Sequence, residues 1–347
     1  MCKMINRYIF SFALDNLGKV QKPTINYKRC VNRGQSKHDC ELCQQACPCG
    51  AIFLKSKRRL EIDHELCRGC YLCSGICPTQ CISHHSAFIK SNDAGEDILG
   101  IGCGQNDSGL VKAKVPCVAS LPWEFYAYFS YKAPIAILPG DCENCTMNAQ
   151  THIDAIKERL KMFWGAEYEQ RVLNNTADLT SGISRREFFG LFSKKIQSVK
   201  KSMDVVAVND VSDASQAHVS IFRKLLLGEL AEDKAHGWFS LDVRESCWGC
   251  HICEKLCPCN AITVAKSGEQ WAVSHNAAHC TGCQVCKLAC PDQAIGELNA
   301  RYLRSKNFVT STPIQVNSCE VCEQNMKSQT DSVCNVCKNK ARRINSR

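Results

Sequence analysis

Three stretches of this chain repeat one cysteine spacing: CRGCYLCSGICP at residues 67–78, CWGCHICEKLCP at 247–258 and CTGCQVCKLACP at 280–291. Each reads C-x2-C-x2-C-x3-C-P, and a fourth, imperfect copy, CELCQQACP, occupies residues 40–48. Three cysteines two residues apart wrap the backbone tightly round one face of a small object, a cube of iron and sulfide. The fourth, three residues on, points away and ligates a neighbouring cube. Proline ends the wrap by fixing φ and removing a backbone donor.

This spacing assigns ligands. Cys247, Cys250, Cys253 and Cys290 hold one 4Fe–4S cluster, and Cys280, Cys283, Cys286 and Cys257 its neighbour. In the N-terminal half, Cys67, Cys70, Cys73 and Cys47 form a complete set. The remaining set has Cys40, Cys43 and Cys77, but Lys37 stands where a first cysteine belongs. Cys30 and Cys49 compete for the place, with a three-iron cluster as a third option. Cys30 is preferred because a longer loop costs little entropy. Cys259, the counterpart of Cys49, also sits in a run that already has all its cysteines.

Zinc takes four cysteines too, but from paired C-x2-C knuckles rather than one run ending in proline. A disulfide framework belongs to secreted chains. The N-terminal apolar stretch, YIFSFAL, is short and has no small-residue cleavage site after it. No window reaches the ~18 apolar residues of a membrane span. Reduced cysteines in the cytoplasm are the consistent expectation.

Residues 28–90 and 241–300 each resemble a bacterial two-cluster (dicluster) ferredoxin module. The apolar pair after each proline, Ala51–Ile52, Ala261–Ile262 and Ala294–Ile295, is typical of that family, whereas the remaining copy has Cys81–Ile82. A CPC sequence in the first half of both modules suggests duplication of the whole unit. The resemblance implies short hairpins and helices around two clusters. So small a module buries too little apolar surface to fold well alone, so metal ligation supplies much of its folding free energy.

Between the modules, apolar runs alternate with helical patterns: ILGIGC, AKVPCVASL, a helix through PWEFYAYFSY, APIAILPG, then a helix over residues 148–164. In the last, Ile153, Ile156, Leu160 and Phe163 recur at three- and four-residue steps. Such alternation predicts a small parallel α/β layer. Cys103, Cys117, Cys142 and Cys145 fall at its strand ends or in the loops that follow, where these sheets place their sites. They bind a further Fe–S cluster or zinc, or else are buried structural cysteines. The pattern, with its GDCENC loop, weakly resembles the small iron–sulfur subunit of methanogen-type hydrogenases. That family implies electron relay between a flavin- or ferredoxin-facing partner and a hydrogenase.

Residues 184–189, SRREFF, mimic a twin-arginine export signal, but they are internal and run into Lys194 and Lys195. Ser184 and Glu187 have capping-box spacing, so a helix start is the better reading. Another helix is expected through residues 221–230. Near the C-terminus, Cys319-x2-Cys322 and Cys334-x2-Cys337 have few apolar neighbours. A metal is the obvious staple there, zinc ahead of a 4Fe–4S cluster or no metal. The net charge is +9 and the tail KNKARRINSR is basic. No aromatic platform or groove-reading motif accompanies it, which favours a solvated tail or a docking strip for an acidic redox partner over nucleic acid.

The expected fold is α+β. A tail (1–27) precedes a dicluster ferredoxin module (28–90), an α/β domain with four cysteines (91–180) and a helical linker (181–240). A second dicluster module (241–300) and a four-cysteine knuckle with a basic tail (301–347) follow. No phosphate-binding glycine loop, dinucleotide fingerprint or C-x3-C-x2-C radical motif is present, and no residue is read as catalytic. The function expected is polyferredoxin-type electron transfer, as the electron-carrying subunit of an anaerobic oxidoreductase with a separate catalytic subunit. The alternatives are a cluster-dependent regulator or assembly factor, or an oxidoreductase with its own site in the middle domain.

Overall fold

The computed structural model describes residues 22–32, 40–55, 59–83, 90–91, 99–111, 113–173, 221–231, 234–267, 270–303, 309–328 and 330–345. The apolar stretch at residues 8–14, Lys37 and the run at 184–189 lie outside them. The N-terminal part consists of β1 (Thr24–Ile25), α1 (Leu42–Gln45), β2 (Ile52–Lys55), β3 (Arg59–Ile62), α2 (Leu72–Ile76) and β4 (Ile82–Ser83). β2 and β3 form a hairpin, and β1 pairs antiparallel with β4. Helices of four or five residues cannot hold themselves in water, and neither has a side-chain cap. The core beneath them is Cys30, Cys43, Ile52, Leu60, Cys73, Cys77, Cys81 and Ile82. Most of these are cysteine, so apolar burial alone is too small to hold the unit together.

The middle part is a five-stranded sheet in the order β5 (Lys90–Ser91), β7 (Ala113–Val115), β6 (Leu99–Cys103), β8 (Ile135–Leu138) and β9 (Val172–Leu173). β5 is an antiparallel edge; the other pairings are parallel. β8, the sequence IAIL, is buried throughout, as a strand covered on both faces must be. Around the sheet lie α3 (Trp123–Lys132), α4 (Gln150–Trp164) and the short α5 (Tyr168–Arg171). α3 buries Phe125, Tyr126 and Phe129. The α4 stripe of Ile153, Ile156, Leu160 and Phe163 faces the same core.

The remaining chain forms α6 (Ile221–Glu229), β10 (His236–Ser240), α7 (Ile252–Leu256), β11 (Ile262–Ser267), β12 (Gln270–Asn276) and α8 (Val285–Ala289). After them come β13 (Asn299–Leu303), β14 (Val309–Ile314), β15 (Asn317–Ser318), β16 (Asn325–Met326) and α9 (Asn335–Asn345). β14 adds to the β11–β12 hairpin, and β10 pairs with β13. β14 thus pairs with the hairpin from beyond residue 300, β10 pairs from ahead of residue 241, and β1 pairs from ahead of residue 28. The physical reason is shared: a two-stranded hairpin leaves an open edge, and an added strand satisfies it. Among the described residues no helix is long and apolar enough to cross a membrane.

Two glycines set how closely the parts approach. Gly75 on α2 lies against the Ala119 carbonyl, and Gly237 on β10 against the Met162 carbonyl at the end of α4; at either position a Cβ would collide with backbone. A buried polar bridge crosses the same junction. Gln80 Nε2 donates to Glu124 Oε2 (3.2 Å), and Arg223 lies 3.1 Å from Glu124 Oε1. Arg223 Nη1 also donates to the carbonyls of Ala278 (3.1 Å) and Cys280 (2.6 Å). Arg223 and Glu124 are 1% and 2% exposed, so loss of one partner strands a buried charge. Arg223→Met should therefore lower unfolding stability by about 3 kcal/mol, measured by thermal denaturation of the metal-loaded chain. Gly75→Ala should cost about 1–3 kcal/mol by overpacking, with the change confined to unfolding stability and no loss of bound iron at 25 °C.

Candidate metal centres

In the three full runs the residue before the second cysteine is glycine with positive φ: Gly69 (+67°), Gly249 (+70°) and Gly282 (+73°). The residue after that cysteine is also left-handed: Tyr71 (60°), His251 (62°) and Gln284 (59°). These paired reversals bend the chain round a common centre before the third cysteine enters its helix. A further left-handed residue follows each remote cysteine by three positions: Gly50 (63°), Gln80 (48°), Asn260 (48°) and Gln293 (50°). It turns the next backbone N–H onto that cysteine's sulfur. Ala51, Cys81, Ala261 and Ala294 donate to Cys47, Cys77, Cys257 and Cys290 at 3.3, 3.3, 3.2 and 3.2 Å.

Burial, then the charges of Cys250, Cys247 and Cys290, push the Cys253 thiol up to about 12, so these four face one another. Cys280 and Cys283 are likewise raised to about 12, with Cys257 as a shared neighbour, and Cys286 is raised among the same three. In the N-terminal unit Cys73 is raised by burial and by a group that includes Cys70, Cys47 and Cys67. The fourth group joins Cys43, raised to about 12, with Cys77, Cys40 and Cys30. Cys30 thus stands beside the incomplete set. Cys49 does not: its sulfur is 3.7 Å from that of Cys47, and it lines a cavity of about 310 Å³ with Cys47, Cys67, Cys70 and Cys73. Cys259 lines the equivalent cavity of about 320 Å³ with Cys257, Cys280, Cys283 and Cys286.

Cys81 is a residue that spacing did not single out. Its sulfur lies 3.5 Å from that of Cys77, and it also bonds the Cys30 thiol. The only sequence signal was a cysteine where the other copies have alanine. Donation from Cys81 and Thr79 overcomes burial and lowers Cys77 to about 6. Elsewhere burial disfavours the thiolate. Groups of four such thiols, each remote sulfur met by an N–H, suit a cationic iron–sulfide core, which stabilises thiolate where solvent cannot.

In the middle part, Cys103 ends β6, Cys117 follows β7, and Cys142 and Cys145 lie in the loop after β8. Adjacent parallel strands thus deliver all four to one end of the sheet. Burial raises Cys117 to about 11, with added repulsion from Cys142, Cys103 and Cys145. Gly140 N–H donates to Cys103 Sγ at 3.0 Å. The cavity they line, about 340 Å³, matches the two ferredoxin-like cavities in size.

The C-terminal set is tighter. The sulfurs of Cys319, Cys322, Cys334 and Cys337 all lie within 4.8 Å of one another, and those of Cys322 and Cys334 are 3.8 Å apart. Tetrahedral bonds of about 2.3 Å to one zinc ion place sulfurs roughly 3.8 Å apart. Among the described residues no other set of three or more potential ligands is drawn this close. Backbone N–H donation from Cys334 lowers the Cys319 thiol. The knuckle docks on the C-terminal unit through Asn325 Nδ2 to the Gly249 carbonyl (2.7 Å) and a Lys327–Asp292 ion pair.

Comparison with known proteins gives independent findings. Residues 246–295 match the model of the 4Fe-4S dicluster domain family, and residues 60–83 that of the 4Fe-4S binding domain family. Pyruvate synthase subunit PorD of Methanocaldococcus jannaschii is 32% identical over 62 residues, which cover 18% of this chain and 64% of that protein. Pyruvate synthase subunit PorD of Thermotoga maritima is 30% identical over 64 residues, covering 18% and 58%. The chain thus spans less than two thirds of the length of either relative. With the cysteine geometry, these matches identify residues 60–83 and 246–295 as ferredoxin-type 4Fe–4S binding domains.

Proposed function

We propose that this chain is the electron-carrying subunit of an oxidoreductase whose catalytic groups reside on a separate polypeptide in the cytoplasm. The interlocking of the cysteine runs carries this reading: in each unit, one run lends its last cysteine to the group formed by the other. When bound, each 4Fe–4S cluster takes up and releases one electron. Four groups would hold the clusters: Cys247, Cys250, Cys253 and Cys290; Cys280, Cys283, Cys286 and Cys257; Cys67, Cys70, Cys73 and Cys47; and Cys30, Cys40, Cys43 and Cys77. Cys103, Cys117, Cys142 and Cys145 would hold a further Fe–S cluster, and Cys319, Cys322, Cys334 and Cys337 a zinc ion.

The protein's own part is positional. Cysteines fix the sites, the four N–H donors favour negative charge on the sulfurs, and the junction holds the two units against the middle sheet. The Arg223–Glu124–Gln80 bridge runs from the carbonyl of Cys280 to a residue three places past Cys77, which supports a relay between units. The PorD relatives are named as subunits of pyruvate synthase, which supports a separate catalytic partner.

Anaerobically purified protein should contain about twenty irons, with about four of them lost in Cys117→Ser. Stepwise reduction should give magnetically coupled EPR signals; clusters that never reduce would sink the relay. Cys30→Ser should lose about one cluster's iron while Cys49→Ser loses none. Elemental analysis should find about one zinc, absent in Cys322→Ser with iron unchanged.

A further inference from the structure

A cavity of about 170 Å³ opens where the three parts of the chain meet. Its walls come from Cys77 and Pro78 on one side, from Trp123, Glu124, His152 and Arg159 on another, and from Phe239 and Thr281 on the third. It is smaller than a drug-sized pocket and suits a ligand of a few heavy atoms, and its lining is mainly apolar with a few convergent polar groups.

Arg159 is the cation in this wall. Its guanidinium is clamped between the Trp123 and Phe239 rings, 4.3 and 4.5 Å from their centroids. Nη1 donates to the Gly237 carbonyl at 3.4 Å. Nη2 is shielded from solvent and has no hydrogen-bond partner among the described residues; nor does the shielded Nδ1 of His152. The one carboxylate in the wall is already committed, since Glu124 receives Arg223 on Oε1 and Gln80 on Oε2. Two guanidiniums therefore face one carboxylate. Burial and the nearby Arg223 push Arg159 down to about 9, which leaves it charged at neutral pH. A desolvated cation with an idle donor is costly unless an anion meets it; the planar fork suits an oxyanion, and the small cavity favours a compact carboxylate.

We propose that this cavity binds a small carboxylate anion, with Arg159 as its clamp and His152 as a second contact. The anion would rest against Cys77 of one unit and Thr281, next to Cys280, of the other. Its negative charge opposes added electrons on both sides, so binding and reduction are reciprocally linked. Carboxylate lowers the midpoint potential of the neighbouring centres, and reduction weakens carboxylate binding.

The experiment titrates the full metal-loaded chain with 13C-labelled acetate at constant ionic strength, chloride replacing acetate in the control. Binding is read by NMR and midpoint potentials by EPR-monitored titration. Saturable acetate binding is expected, at least about tenfold weaker in Arg159→Gln and reduced in His152→Ala, with a downward potential shift in the wild type alone. Iron content checks that each variant is folded. Should Arg159→Gln lose iron, Arg159→Lys keeps the charge without the fork and should still bind several-fold more weakly. Absence of saturation, or wild-type affinity in the folded Arg159 and His152 variants, overturns the site. So does a potential shift from Arg159→Gln that acetate does not mimic, since Arg159 would then be an internal counter-charge. The binding isotherm does not depend on the relay reading. Centres that fail to reduce would refute that reading and leave the isotherm standing.

Discussion

The fold depends on thiols most of which burial holds away from the thiolate form. In the N-terminal unit the buried core is mostly sulfur, with Ile52, Leu60 and Ile82 as its aliphatic members. Burial raises Cys43 and Cys73, so the same act that closes the unit penalises the ligand form there. A cationic core reverses that balance, and the ligation energy becomes folding energy. The short helices α1, α2, α7 and α8 follow from this. Each is one turn or little more, too short to stand alone, and each carries the cysteine that precedes the remote one: Cys43, Cys73, Cys253 or Cys286.

Once such units exist, joining them is a problem of close approach and buried charge. Gly75 and Gly237 remove side chains where backbone meets backbone. The junction is otherwise aromatic, with Trp238 against Phe163 (5.0 Å) and Phe222 against Phe125 (5.1 Å). Into this packing the chain sets Arg223 and Glu124, an arrangement seldom favourable over apolar residues of similar volume. What it supplies is direction. Arg223 ties Glu124 to two carbonyls of the C-terminal unit while Gln80 ties it to the N-terminal one, and only one register satisfies all of them.

Cysteine spacing made the three full runs legible because their backbone geometry is local: a glycine and a left-handed residue beside the second cysteine are written into C-x-G-C-x-x-C. The parallel sheet was legible from IAIL and from the α4 stripe for the same reason. The pairings of β14 with β12 and of β1 with β4 were not, since they are made by backbone bonds that carry no side-chain signature. Cys81 was missed because its partners, Cys77 and Cys30, come together only in space. Arg159 and His152 carried no motif at all; a cavity at a three-way junction is a property of packing.

The non-glycine residues at Gln80, Asn260 and Gln293 show how strictly the sulfur environment is imposed. Left-handed backbone costs roughly 1–2 kcal/mol for a residue with a Cβ, and strain of this kind persists only where the surroundings over-determine it. In all four copies the turn ends in the same product, an N–H aimed at the remote cysteine. That cysteine joins the group formed by the opposite run, so the donor acts where the two halves of a unit are joined. Hydrogen bonds to ligand sulfurs are among the features that set cluster potential. The strained residue therefore serves the redox property of a site built largely by the other run, which gives a physical reason for the two runs of each unit to remain together.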